Sequence, residues 1–219
     1  MEDKKNSFRD KWNNSYENGD NNILYPQSEV IRFLNKFVTK RNHDGSFSNI
    51  ISKDNNQKLK GLDFACGIGT HSLVFKDFNI DGYGIDISES AIKIAKKRAE
   101  DGHKNKLTVI KNNDQILDFE NNFFDFVVAE SCLDSMPFEF AKKYVTEIKR
   151  ITSRYIYASL IGFDDNITSS EFIVPTKHEY GTVQSVFNIK KIEDLFGVNI
   201  KNFTFINLIK NINPTTKLI

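Results

Sequence analysis

The chain has 219 residues, 39% of them hydrophobic, and its 30 basic and 29 acidic side chains leave a formal charge of +1. That balance argues against a nucleic-acid or anionic-membrane partner and leaves a small-molecule ligand as the default. Cys66 and Cys132, the only cysteines, stand too far apart to suggest a disulfide framework or a zinc site, and the four histidines lack metal-ligand spacing, so no metal is expected.

Residues 8–22 read as a short helix stopped by Asn18-Gly-Asp-Asn-Asn22. The opening residues carry no apolar run that would serve as a signal peptide, and no stretch reaches the ~18 apolar residues of a membrane span, so a cytoplasmic protein is expected. Val30, Ile31, Leu34, Phe37 and Val38 recur at helical spacing and predict an amphipathic helix over 28–40. Residues 41–58 are polar and read as a connecting loop. The division that follows is an N-terminal helical cap and loop, 1–58, on a core of 59–219, the whole forming one domain.

From residue 59 strands alternate with helices. Strands are expected near 61–65, 81–86, 107–111, 124–130 and 155–161, and helices near 70–78, 88–101 and 138–151, with Ser88 as the N-cap of the second. Residues 162–186 read as irregular, 189–197 as a helix and 199–209 as a strand, with only 216–219 left to begin a hairpin partner. Strands separated by helices require a mostly parallel, doubly wound α/β sheet, which binds ligands outside the carboxyl ends of its strands.

Three pieces fall at such ends. Asp63-Phe-Ala-Cys-Gly-Ile-Gly69 places an acid at a strand end and two glycines in the turn beyond it, where the backbone must bend tightly and make room for a ligand. The helix after it would turn its free N–H groups toward that ligand. Asp86, at the end of the next strand, is placed to accept both hydroxyl hydrogens of a ribose, with Ile87 beside it. Asn112-Asn-Asp-Gln115 follows the third strand, where Asn113, Asp114 or Gln115 could meet the exocyclic amine of an adenine. A dinucleotide site is disfavoured, because no third small residue stands at the G-x-G-x-x-G position and the Asp63 carboxylate would repel a pyrophosphate.

With these residues the chain resembles the class I methyltransferases that use S-adenosylmethionine and release S-adenosylhomocysteine. The resemblance implies a Rossmann-like methyltransferase fold with an N-terminal helical lid. It also implies that Asp63, Ala65, Cys66, Gly67 and Gly69 surround the methionine moiety, that Asp86 holds the ribose, and that Asn113 or Asp114 meets the adenine. Ala65 stands where the family prefers its first glycine. The implied activity is methyl transfer to an O or N acceptor on a small molecule such as a sugar or metabolite. Protein or RNA methylation, or cofactor binding without turnover, are the alternatives. The segment 130–136, Glu-Ser-Cys-Leu-Asp-Ser-Met, lacks the Asn/Asp-Pro-Pro-aromatic signature of relatives acting on nucleic-acid amines.

Methyl transfer rests mostly on positioning, and a base is needed only for some acceptors. Asp134, His71 and His178 are the candidates, each with a bland reading beside it: a helix cap, an exposed first-turn residue and a loop member. Glu130 either bonds the cofactor or merely ends its strand. Trp12, Tyr16 and Tyr25 either close over the cofactor, with Tyr16 and Tyr25 the better placed, or staple the helix to the sheet. Oligomeric state is not readable.

Overall fold

The computed structural model describes residues 2–51, 58–110, 116–162, 171–176 and 179–197, with side chains from residue 8 onward. The expected strand over 199–209, the segment 216–219, and Asn113, Asp114, Gln115 and His178 lie outside these residues.

The centre is a five-stranded parallel sheet of β3 (Lys60–Phe64), β4 (Asp81–Asp86), β5 (Leu107–Val109), β6 (Phe124–Ala129) and β7 (Thr152–Ala158), in spatial order β5-β4-β3-β6-β7. The order reverses beside β3: the chain runs outward through β4 and β5, then returns to place β6 on the other side of β3. A crevice opens at such a switch point, beyond the carboxyl ends of the two central strands. β3 and β6 are buried along almost their whole length, as strands covered on both faces must be.

One face is covered by α6 (Phe138–Ile151) and α7 (Ile189–Phe196), whose Ala141, Tyr144, Val145, Ile148 and Leu195 pack with Leu62, Phe64, Phe124 and Val127. The other face meets α2 (Ser28–Phe33) and a π-helical turn, Leu34–Val38, where Val30, Leu34 and Val38 pack with Phe75, Phe126 and Val128. α3 (Thr70–Val74) continues as a 3-10 turn, Phe75–Phe78, into β4. α4 (Glu89–Arg98) lays Ala95 against Leu107 of β5, and a short α5 (Asp101–Lys104) follows it. α1 (Glu2–Glu17) precedes all of these.

Several expected bounds shift. The N-terminal helix begins earlier than residue 8 and stops at Glu17. The helix expected over 28–40 ends sooner, because Thr39 leaves it for β1 (Thr39–Arg41), which pairs antiparallel with β2 (Phe47–Asn49) in what had read as loop. The hairpin turns at Asn42–Ser46, where Gly45 takes a φ of +85° and Asp44 accepts from the Ser46 N–H at 2.9 Å. A second antiparallel pair, β8 (Glu171–Ile173) and β9 (Val183–Ser185), lies inside the segment read as irregular. Ser88 does cap α4, its side chain accepting from the Ala91 N–H at 3.1 Å. No helix among the described residues is long and apolar enough to cross a membrane.

Candidate active site

At the switch point lies a cleft of about 970 Å³, counted as empty space out to the solvent on its open side. Its first wall is the turn from β3 to α3. Leaving Phe64, the chain takes left-handed backbone at Ala65 (φ +57°), Gly67 (+52°) and Gly69 (+81°). For Ala65 that conformation costs ~1 kcal/mol that a glycine would not incur. The Cys66 N–H donates to the Ile85 carbonyl at 2.9 Å, and the Gly69 N–H returns to the Cys66 carbonyl at 2.8 Å. Gly67 has a second reason to lack a side chain, since a Cβ there would come within 2.6 Å of the Tyr16 hydroxyl oxygen.

Asp86 closes this wall from β4. It is buried, and its two oxygens accept from the Gly67 and Ser88 N–H groups, each at 2.8 Å. Burial raises its pKa to about 6 against the pull of those two bonds, and the Asp63 charge adds to the rise. Each carboxylate oxygen keeps a second lone pair for a ligand hydroxyl.

Asp63 lies beneath the turn rather than in the cleft wall. Its Oδ2 accepts from the Ser72 N–H at 3.0 Å, so this acid holds the first turn of α3. His71, which lines the cleft, stands with Nδ1 3.8 Å from Asp63 Oδ1 while its Nε2 accepts from the Gln27 N–H at 3.2 Å. Burial alone would lower the His71 pKa; the nearby Asp63 and Glu130 outweigh it and the pKa is raised.

The opposite wall starts where β6 ends. Glu130, Ser131, Cys132, Ser135 and Met136 line the cleft. Ser131 adopts a φ of +49°, donates its N–H to Ser159 Oγ at 2.7 Å and its hydroxyl to Glu130 Oε1 at 3.1 Å. Glu130 Oε2 is shielded from solvent without a hydrogen-bond partner. Asp134 lies behind this wall: buried, it accepts from the Ile161 N–H at 2.9 Å, while its carbonyl accepts from the Ser185 N–H at 2.6 Å. It therefore ties the end of β7 and the β8–β9 pair to the cleft without facing it, and it does not cap α6, whose N-cap is Pro137. Burial raises the Asp134 pKa to about 6.

The roof is α1 and the connector after it. Phe8, Trp12 and Tyr16 line the cleft, with the Trp12 and Tyr16 rings 6.4 Å apart. Burial, then the neighbouring Asp86, raises the Tyr16 pKa well above its ordinary value and keeps the phenol protonated. α1 is moored on both sides. Asn13 Oδ1 accepts from Ser88 Oγ at 2.8 Å, Glu17 Oε1 accepts from Ser90 Oγ at 2.7 Å, and Arg9 donates to the Ile110 carbonyl at 3.0 Å. On the far side Lys11 donates to the Gly181 carbonyl, beside the cleft-lining Glu179. The connector is fixed by Thr70, whose hydroxyl donates to the Ile23 carbonyl.

Of the residues singled out in the sequence, the cleft gathers Trp12, Tyr16, Ala65, Cys66, Gly67, His71, Asp86, Ile87 and Glu130. Asp63, Gly69 and Asp134 serve behind its walls, and Tyr25 is 82% exposed outside it. Phe8, Ile23, Gln27 and Glu179 reach the cleft without a local motif to announce them.

Comparison with known proteins adds an independent line. Residues 62–155 match a family model described as a methyltransferase domain. Over 97 residues the chain is 34% identical to an uncharacterized protein of Haemophilus influenzae, covering 43% of this chain and 39% of that relative. The chain thus spans about two fifths of the curated relative it matches. Its fold resembles that of a SAM-dependent methyltransferase from Methanosarcina mazei, at TM-score 0.53 and 22% identity over 63% of this chain and 77% of the other. A candidate O-methyltransferase from Nostoc punctiforme superposes at TM-score 0.51 and 16% identity, over 77% of this chain and 47% of the other.

Proposed function

We propose that this chain, whose residues 62–155 match a methyltransferase domain and whose fold resembles that of a SAM-dependent methyltransferase, is a class I S-adenosylmethionine-dependent methyltransferase that transfers a methyl group to an O or N acceptor on a small molecule. The observation that carries the reading is the joint geometry of Gly67 and Asp86. A glycine turn whose Cβ position is closed from above donates the Gly67 N–H to a buried carboxylate with acceptor capacity to spare, and the two form one wall of a cleft at the topological switch point.

The residues present fit the cofactor. Asp86 would accept the ribose hydroxyls, the turn at Ala65, Cys66 and Gly67 would border the methionine portion, and Ile87 would flank the nucleoside. Tyr16 and Trp12 would cover the sulfonium region, where aromatic faces attract a cation. When bound, S-adenosylmethionine supplies an electrophilic methyl group on a positively charged sulfur. The protein's contribution is then to hold the acceptor in line and exclude water. α1 is suited to the second task because it is moored to both rims.

Calorimetry with S-adenosylhomocysteine tests the reading. Wild type should bind it in the micromolar range or tighter. Asp86→Ala should lose at least about a hundredfold in affinity, because each of the two ribose hydroxyl bonds to a carboxylate is worth ~1.5–3 kcal/mol. Absence of binding to wild type would refute the activity; an Asp86→Ala variant binding as tightly as wild type would remove the ribose assignment alone.

A further inference from the structure

The connector between α1 and α2, residues 18–27, covers one side of the cleft, which Asn21, Ile23 and Gln27 line. Its first half belongs to α1: the N–H groups of Asn18, Gly19 and Asp20 donate to the carbonyls of Asn14, Tyr16 and Ser15. Its second half is tied to the body of the fold by three side chains. The Thr70 hydroxyl donates to the Ile23 carbonyl, Arg98 donates to the Leu24 carbonyl at 3.4 Å, and His71 Nε2 accepts from the Gln27 N–H at 3.2 Å.

The three ties differ in kind. Thr70 and Arg98 act as donors, and neither changes charge near neutral pH. The His71 tie needs a bare ring nitrogen: a neutral imidazole accepts through one nitrogen, whereas an imidazolium has two donors and no acceptor. With Nε2 accepting, the neutral ring carries its proton on Nδ1, which stands 3.8 Å from Asp63 Oδ1. A second proton would set the N–H of a cation against the N–H of Gln27, and the bond would become a repulsive contact.

The surroundings of the ring favour that proton. Burial disfavours the cation, but Asp63 from β3 and Glu130 from the end of β6 outweigh it, so the His71 pKa is raised. The Tyr157 hydroxyl of β7 lies against Glu130 and stays protonated, because burial and then that carboxylate raise its pKa. Glu29 of α2 is paired with Arg32 at 3.5 Å, and Arg98 of α4 stands beyond Thr70, whose Oγ1 it bonds at 3.1 Å. Two carboxylates thus pull the ring toward the charged form while one backbone N–H holds it neutral, and the connector is the element that this balance biases.

We propose that His71 is a pH-sensitive latch on the connector: neutral, it pins Gln27 and closes this side of the cleft; protonated, it releases Gln27 and frees the connector from residue 24 to 27. The sign follows from linkage. The pinned connector binds the second proton less readily than the released one, so acid shifts the population toward release, and the neighbouring carboxylates move that change upward on the pH scale. Release loosens the cleft at Gln27 and, through Leu24, at Ile23, so acid speeds exchange of whatever the cleft holds. The latch acts on the cleft itself and stands apart from the methyl-transfer reading.

NMR on the full chain without ligand, from pH 5.5 to 9, tests the latch. Protection of the Gln27 amide against hydrogen exchange, taken relative to its unprotected rate at each pH, should fall about fivefold as the His71 ring gains its second proton, the weight of one hydrogen bond. The two changes should share a midpoint, while the Leu73 amide, which donates to the Gly69 carbonyl within α3, keeps its protection. His71→Gln places a carbonyl oxygen that never ionises near the Nε2 position and should make Gln27 protection independent of pH; His71→Leu should leave it low throughout. In stopped-flow displacement, release of S-adenosylhomocysteine should accelerate on acidification a few-fold more in wild type than in His71→Gln. Gln27 protection that ignores pH, follows another midpoint, or falls equally in His71→Gln overturns the proposal, and the wild-type midpoints decide it even where a variant folds poorly. Equal acceleration of release in the two proteins also overturns it, by leaving the latch without effect on the cleft. If wild type fails to bind S-adenosylhomocysteine, the cofactor reading falls and the exchange measurements still decide the latch.

Discussion

The two walls of the cleft are made differently. The turn between β3 and α3 is made of backbone: left-handed residues at 65, 67 and 69, the Gly67 N–H donated to Asp86, and a glycine where a Cβ would strike Tyr16. The wall after β6 and the roof above it are made of side chains that come from distant parts of the chain, such as Lys11 reaching Gly181 and Arg9 reaching Ile110. A backbone-built surface tolerates few residue types and so serves a ligand part that does not vary. A side-chain-built surface can be recomposed while the sheet stays intact, which suits it to the acceptor.

The sharpest way to break this comparison is at Gly67. Gly67→Ala imposes left-handed strain of ~1 kcal/mol and drives a Cβ to within 2.6 Å of the Tyr16 oxygen. Cofactor affinity should fall at least tenfold, with the circular-dichroism spectrum of the folded protein retained. Adding Tyr16→Phe removes that oxygen and leaves the ring carbon at 3.3 Å as the nearest atom, so the double variant should recover part of the loss. If Gly67→Ala binds normally, the turn is not the ligand's seat.

Asp86 and Asp134 belong one to each wall and share a pKa raised to about 6 by burial. In the unfolded chain both titrate near ~4, so folding favours the protonated acids. Their stabilising contribution is complete below pH ~4 and is lost as pH rises through about 6, by roughly 3 kcal/mol for each group. Asp134→Asn keeps an acceptor for the Ile161 N–H and cannot ionise, so denaturant midpoints measured from pH 4 to 7 should fall less steeply than in wild type. If Asp86 holds the ribose as proposed, S-adenosylhomocysteine affinity should move the other way, strengthening as pH rises through 6 and the carboxylate ionises; Asp134→Asn should leave that trend unchanged. A cofactor affinity that is flat from pH 5 to 7 would separate Asp86 from the ligand.

The same contrast explains what the sequence disclosed. β4 at 81–86 and α6 at 138–151 coincide with expectation because each is set by its own hydrophobic pattern, and Ser88 caps α4 because a cap is a local bond. The glycine turn was legible for the same reason. Asp63 was read as a cofactor neighbour, but its bond to the Ser72 N–H is one that any buried acid at a strand end could make, and the sequence does not distinguish the two. Asp134 looked like a helix cap or an acceptor-facing acid; its partner, Ile161, is 27 residues away, in a segment whose path depends on β7 and β9. Glu179 and Phe8 had no signal because only the tertiary structure brings them into the lining of one cleft.

The roof offers a smaller effect. Asn13→Ala removes the acceptor for Ser88 Oγ and, at 3.4 Å, for the Ser90 N–H, about 1 kcal/mol of mooring in total. Stopped-flow displacement of S-adenosylhomocysteine should show release accelerated a few-fold. Unchanged release would mean that α1 is packing and not a cover.

Least of all should change at Tyr25, and that is why it is informative. Tyr16 and Tyr25 looked like equivalent lid candidates, two tyrosines flanking the same polar turn. In the fold one stands half-buried over Gly67 and the other is 82% exposed, outside the cleft. The connector between them is held instead by Thr70 and His71, which bond the backbone at Ile23 and Gln27 and so require nothing of the Tyr25 side chain. Tyr25→Ala should therefore leave cofactor affinity within twofold of wild type, while Tyr16→Ala, which uncovers the turn, should weaken it about tenfold, the ~1.4 kcal/mol expected for losing one aromatic contact to a cation. Equal losses at the two positions would show that the connector folds further inward on binding and carries Tyr25 into the cleft.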